Sequence, residues 1–173
     1  MGHPNCIVQI VGYKNAGKTT TIAKLVTALE QRNVSTAVIK HHGHSFSPPK
    51  ARYDSEHFIE AGAKASLVEG GGEVSIQLKK EMTLEQLLHL QSSISNVDVV
   101  FVEGFKDIQL PNIVLLRDED DFSLLDRSQT IGVIQHHRLL VDCKETAIFL
   151  RDEEEMWISY FVNQIVEMRS EHV

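Results

Sequence analysis

One stretch limits the fold more than any other. An apolar run, Cys6-Ile7-Val8-Gln9-Ile10-Val11, leads into Gly12-Tyr13-Lys14-Asn15-Ala16-Gly17-Lys18-Thr19, and a helical repeat of Ile22, Leu25, Val26 and Leu29 follows. The first run reads as a buried parallel strand. The repeat at i, i+3, i+4 and i+7 marks one face of a helix. Strand, G-x-x-x-x-G-K-T loop and helix together form the setting in which backbone N–H groups cradle the phosphates of a nucleotide. Gly12 and Gly17 permit backbone angles and close approaches that a Cβ would block. Asn15, Ala16, Gly17 and Lys18 are the expected N–H donors, at a helix N-terminus already favourable to anions. Lys18 is expected to reach the β and γ oxygens, Thr19 to offer its hydroxyl to Mg2+, and Thr20 to face the α-phosphate. Lys14 reads equally as a further phosphate contact or a solvated surface lysine.

The rest of the chain alternates strand and helix. Strands are expected at 34–40, 97–102, 113–116, 130–134 and 147–150, with helices at 54–61, from Thr83 onward, and at 156–168. Asp54 is the expected cap of the first of these helices and Gly62 its stop. Thr83-Leu84-Glu85-Gln86 is a capping box. This alternation predicts an α/β, P-loop NTPase-like fold: a mainly parallel sheet flanked by helices, in a single nucleotide-binding domain over residues 1–173. Gly70-Gly71-Gly72 interrupts the pattern, and its flanks, 65–69 and 74–79, read as an antiparallel hairpin. The hairpin is a candidate edge addition and dimer contact; a plain surface hairpin fits the sequence as well.

Composition narrows the partners. The chain has 173 residues, with 17 Lys and Arg against 24 Asp and Glu, for a net charge of −7. A general nucleic-acid binder would be basic, so no nucleic-acid partner is expected. No apolar run approaches the roughly eighteen residues of a membrane span, and the start carries no secretory signal. Cys6 and Cys143 have neither metal-ligand nor C-x-x-C spacing. A cytoplasmic protein with reduced thiols, apart from any membrane, is expected.

Other groups should gather near the loop. Asp98-Val99-Val100-Phe101-Val102-Glu103-Gly104 is a strand that ends in an acid, and Glu103 is the expected metal-side carboxylate, binding Mg2+ directly or through water. Asp98, at the strand start, reads as a turn residue. Lys40-His41-His42-Gly43-His44 opens an aperiodic segment that should emerge on the loop's side of the sheet, as a switch or partner loop. His41 and His44 are also candidate transition-metal ligands. Asp54 and Ser55 combine capping with a possible second role near the γ-phosphate or Mg2+. Arg117-Asp118-Glu119-Asp120-Asp121 reads as solvated. Gln135-His136-His137-Arg138 lies on the ligand side but offers nothing specific. No Asn-Lys-x-Asp motif marks guanine.

Taken in order, the glycine loop, Val38-Ile39-Lys40-His41 with His44, Asp54-Ser55 before Ala61-Gly62-Ala63, Val102-Glu103-Gly104-Phe105-Lys106 and Ile113-Val114-Leu115-Leu116-Arg117 resemble the molybdopterin-guanine dinucleotide biosynthesis protein B (MobB) family. The resemblance runs from about Ile7 to Arg117. It implies GTP as the nucleotide with Mg2+, weak hydrolysis at most, and assistance to the guanylyltransferase that joins GMP to molybdopterin in molybdenum cofactor biosynthesis. It also implies a homodimer with sheets extended across the two-fold, which favours the 65–79 hairpin as interface. Gly43 and Ser45 stand where the family has a His and an acid, and Arg52-Tyr53 replaces Gly-Lys. Those departures weaken any family-like metal or phosphate role for that loop. A GTPase metallochaperone using His41, His42 and His44 is the alternative. A small-metabolite kinase is a weaker one, because the late loops are acidic rather than cationic.

Overall fold

The computed structural model describes residues 6–41, 55–139, 141 and 146–170. Contacts divide the chain into two compact units, residues 1–41 with 85–173, and residues 42–84. The first holds a six-stranded sheet of β1 (Cys6–Val11), β2 (Thr36–Lys40), β5 (Val99–Glu103), β6 (Asn112–Leu116), β7 (Thr130–Gln135) and β8 (Ile148–Leu150), in the order β2-β5-β1-β6-β7-β8. Every pairing in it is parallel. Each strand therefore ends on the same side, and that side receives the loop after β1.

Burial explains the strand composition. β5 and β6 are buried along their whole length, as strands covered on both faces must be. Alternate residues feed opposite faces: Ile113 and Leu115 join one core with Val8, Ile10 and Phe101, whereas Val114 and Leu116 join another with Val133. The first core is closed by α1 (Lys18–Glu30) and α4 (Glu154–Ser170) through Leu25, Leu29, Trp157, Phe161 and Ile165. The second is covered in part by Phe122, Leu124 and Leu125, from a 3-10 segment at Glu119–Asp126 that the sequence pattern does not reveal. α3 (Leu84–Ile94) completes the helices that follow the hairpin.

Some expected boundaries shift. β2 begins at Thr36 rather than Val34 because Ser35 turns to Asp98, which accepts from the Ser35 N–H at 2.8 Å and from its Oγ at 2.7 Å. Those bonds hold the Asp98 carboxyl below its usual range. The second unit contains α2 (Ser55–Glu60) and the antiparallel pair β3 (Ala65–Gly70) and β4 (Glu73–Leu78). The hairpin forms a two-stranded sheet of its own and is not hydrogen-bonded into the larger one, so the reading of an edge addition within the chain is corrected. Gly62 follows α2 with φ 111°, and Ala63 N–H bonds back to Phe58.

Candidate functional site

The loop after β1 delivers a helix start that nothing in its own sequence neutralises. Gly17 caps α1 in the left-handed region, with φ 91°, and offers no side-chain cap. The first turn of α1 has no acid, whereas α3, α4 and the 3-10 segment each carry one or more. The first N–H groups of a helix and a positive helix end with no acid in its own first turn suit an anion. Among the expected donors, Ala16 turns inward: it is buried and its N–H donates to the Tyr13 carbonyl at 3.3 Å. Lys18 Nζ donates to the same carbonyl at 2.8 Å, which folds its side chain back along the loop.

Glu103 ends β5 and Lys40 ends β2, and strand register sets them side by side. Thr19 Oγ1 donates to Glu103 Oε2 at 3.0 Å. Lys40 Nζ lies 2.8 Å from Thr19 Oγ1 and 3.1 Å from Glu103 Oε2. The Thr19–Glu103 separation matches neighbouring oxygens in an octahedral Mg2+ shell, about 3.0 Å for bonds of about 2.1 Å. A hydroxyl and a carboxylate are oxygen donors of the kind that ion takes, and the Lys40 ammonium marks the point as one where a cation is stable. Thr19 and Glu103 thus fit Mg2+.

Cations crowd this end of the sheet. Lys106 Nζ sits 4.9 Å from the centre of the Tyr13 ring, and the Arg117 guanidinium 5.6 Å from it. Arg117 also donates to the Lys14 carbonyl at 3.3 Å. Burial lowers the Lys18 pKa from its ordinary 10.5; Glu103 opposes that shift, and Lys106, Lys40 and Arg117 add to it. Such a cluster in a chain of net charge −7 makes this end of the sheet locally positive.

Two further groups touch the loop: Arg151, which no sequence motif marks, and His136. A Cβ placed on Gly17 would lie 2.9 Å from both terminal nitrogens of Arg151, so glycine is what lets that guanidinium lie against the loop. Arg151 Nη1 is 2.6 Å from His136 Nε2, and that nitrogen is 3.1 Å from the Ala16 carbonyl. One imidazole nitrogen cannot accept from the guanidinium and donate to the carbonyl together, so the tautomer selects between them. The segment 135–138 therefore does contact the loop, contrary to the expectation that it offers nothing specific. Thr20 lines a small cleft with Arg151, Lys24, Glu154 and Trp157.

The turn after Glu103 is held from behind. Buried Gln9 donates to the carbonyls of Gly104 at 2.7 Å and Phe105 at 3.0 Å. Arg127 donates to Gln9 Oε1 and to the Lys106 carbonyl, each at 2.8 Å. His41 N–H donates to the Glu103 carbonyl at 2.7 Å, and its ring packs 4.6 Å from Phe105. Asp121, read as solvated, is fully buried; its carboxylate accepts from the Arg117 N–H, Nε and Nη2 at 2.8, 2.9 and 2.7 Å. Ser55 is the first residue of α2. Asp54, His42 and His44 lie outside the described residues. Among the described residues, no group of three or more His, Cys, Asp or Glu is placed to hold a metal, and no helix is long and apolar enough to cross a membrane.

Comparison with known proteins agrees with this architecture. A family model for molybdopterin guanine dinucleotide synthesis protein B matches residues 7–143. The chain is 32% identical over 133 residues to the probable molybdopterin-guanine dinucleotide biosynthesis adapter protein of Bacillus subtilis, covering 76% of each chain. The crystal structure of Bacillus subtilis MobB superposes with a TM-score of 0.81 at 27% identity, over 92% of this chain and 98% of that one. A MobB homolog from Bacillus stearothermophilus gives a TM-score of 0.76 at 28% identity, over 93% and 98%. With its all-parallel sheet, its glycine loop and a family match over most of its length, the chain belongs to the molybdopterin guanine dinucleotide synthesis protein B (MobB) family.

Proposed function

We propose that this chain binds GTP with Mg2+ at the Gly12–Thr20 loop and acts, as a cytoplasmic homodimer, as an adapter for the guanylyltransferase that attaches GMP to molybdopterin. The observation that carries the nucleotide part is the grouping of Lys18, Thr19 and Glu103 around a helix start that has no side-chain cap and no acid in its own first turn. In this reading Lys18 leaves the Tyr13 carbonyl for the β and γ oxygens. Asn15, Gly17 and Lys18 turn their N–H groups to the phosphates, and Ala16 does so once its bond to Tyr13 opens. Thr20 meets the α-phosphate. Thr19 and Glu103 hold Mg2+, which neutralises phosphate charge. Lys106, Arg117 and Arg151 supply the surrounding positive field.

A holding role suits the site better than fast hydrolysis. Glu103, the acid beside Thr19, is already engaged by Thr19 and Lys40 and is poorly placed to activate water. Turnover without a partner is expected below about 10⁻² per second, in the range of intrinsic P-loop GTPases. The choice of GTP, the guanylyltransferase and molybdopterin is part of this proposal and is supported by the resemblance to the family, not by any residue of the site. The dimer is assigned to the hairpin, whose Leu67 and Val74 are 68% and 61% exposed.

Calorimetric titration with GTP and ATP, with and without Mg2+, tests the nucleotide reading. Lys18→Ala should weaken GTP binding by about thirtyfold, since a contact to a charged group is worth about 2 kcal/mol, and should leave the circular dichroism spectrum intact. Unchanged GTP affinity in that variant would refute it.

A further inference from the structure

Thr19, Lys40 and Glu103 form a triangle with sides of 2.8, 3.0 and 3.1 Å, whose one positive corner is an ammonium supplied by the chain. Lys40 is brought there by register. It is the last residue of β2 and the direct parallel neighbour of Glu103, so both side chains leave the sheet at the same level. The Glu103 carboxylate is only 10% exposed, and a carboxylate that enclosed needs a cationic partner. The same two oxygens have the spacing of neighbouring Mg2+ ligands. Two cations cannot share that place.

We propose that the Lys40 ammonium is a tethered rival of Mg2+ for the Thr19–Glu103 pair, and that it partly replaces the metal when a triphosphate binds without it. This rests on the triphosphate reading given above. Lys40 has two consequences, of opposite sign. It raises the Mg2+ concentration needed to fill the site, because the ion must first displace it. It also lends positive charge to a metal-free triphosphate, because its ammonium lies one hydroxyl away from the helix start that faces the phosphates. Both reduce the extent to which nucleotide affinity depends on Mg2+. Departure of Lys40 would be felt at the strand end, where the next residue, His41, bonds to Glu103 and packs on Phe105.

The test is the ratio of GTP dissociation constants in EDTA and in saturating Mg2+, read with a fluorescent GTP analogue and confirmed by calorimetry. Lys40→Met keeps the length of the side chain and removes its charge. It should raise that ratio at least tenfold over the wild type and lower the Mg2+ concentration for half-maximal binding. An unchanged ratio in a variant that binds GTP overturns the proposal while leaving the nucleotide reading intact. Failure of the wild type to bind GTP in either condition overturns both. Should Lys40→Met not fold, Lys40→Gln is read in the same way, with the same two outcomes.

Discussion

Asp121 is fully buried: the 3-10 segment after Arg117 turns this last of four neighbouring acids inward onto the guanidinium. Hydrogen bonds from Arg117 hold the Asp121 carboxyl below its ordinary value of 3.8. A depressed carboxyl pKa favours the folded state above the unfolded value, and that contribution fades as pH falls through the lower, folded value. Asp121→Ala should cost about 2 kcal/mol in denaturant unfolding at neutral pH, the scale of a lost buried bond to a charged group. The difference from wild type should shrink below about pH 4. Since Arg117 also reaches the Lys14 carbonyl and the Tyr13 ring, the same variant should weaken triphosphate binding several-fold. The Lys18 pKa is lowered too, but by burial, which disfavours its charged form. It loses its proton earlier than an ordinary lysine, so phosphate affinity should begin to decline at a pH below the ordinary lysine value of 10.5.

At the level of elements, the glycine loop and the buried strands were legible because their signals are local. A parallel strand covered on both faces is a continuous apolar run, and the loop carries its glycines, its lysine and its hydroxyls within nine residues, 12–20. The supports of the site were not legible, because their partners are remote in sequence. Gln9 and the Gly104 carbonyl are separated by 95 residues, and His136 and the Ala16 carbonyl by 120. Arg151 had no motif to announce it; only folding brings it to Gly17. The 3-10 segment was hidden because Phe122, Leu124 and Leu125 keep no 3.6-residue rhythm. At Gly104 the turn after β5 comes close to the end of β2. The Gly104 φ is 102°, and an added Cβ would lie 2.7 Å from the His41 carbonyl. Gly104→Ala should therefore destabilise the fold by about 1–3 kcal/mol, read as a fall in Tm, through strain in a region that L side chains avoid.

For the whole molecule, the charge distribution matters more than the total. A chain of net charge −7 places Lys40, Lys106 and Arg117 close enough to perturb Lys18 at the loop, with Arg151 against Gly17. Triphosphate affinity should therefore fall steadily with ionic strength as the field is screened. Assembly is read separately: Leu67→Glu with Val74→Glu should convert a dimer to a monomer in light scattering while leaving GTP affinity unchanged. In the function proposed above, the Gly12–Thr20 loop holds a Mg2+-bound guanine triphosphate. Calorimetric titration of the wild-type chain with GTP and Mg2+ tests it most directly. Saturable binding of one GTP per chain, strongly weakened by Lys18→Ala, is the expected result; no heat of binding, or equal binding by the two proteins, would contradict it.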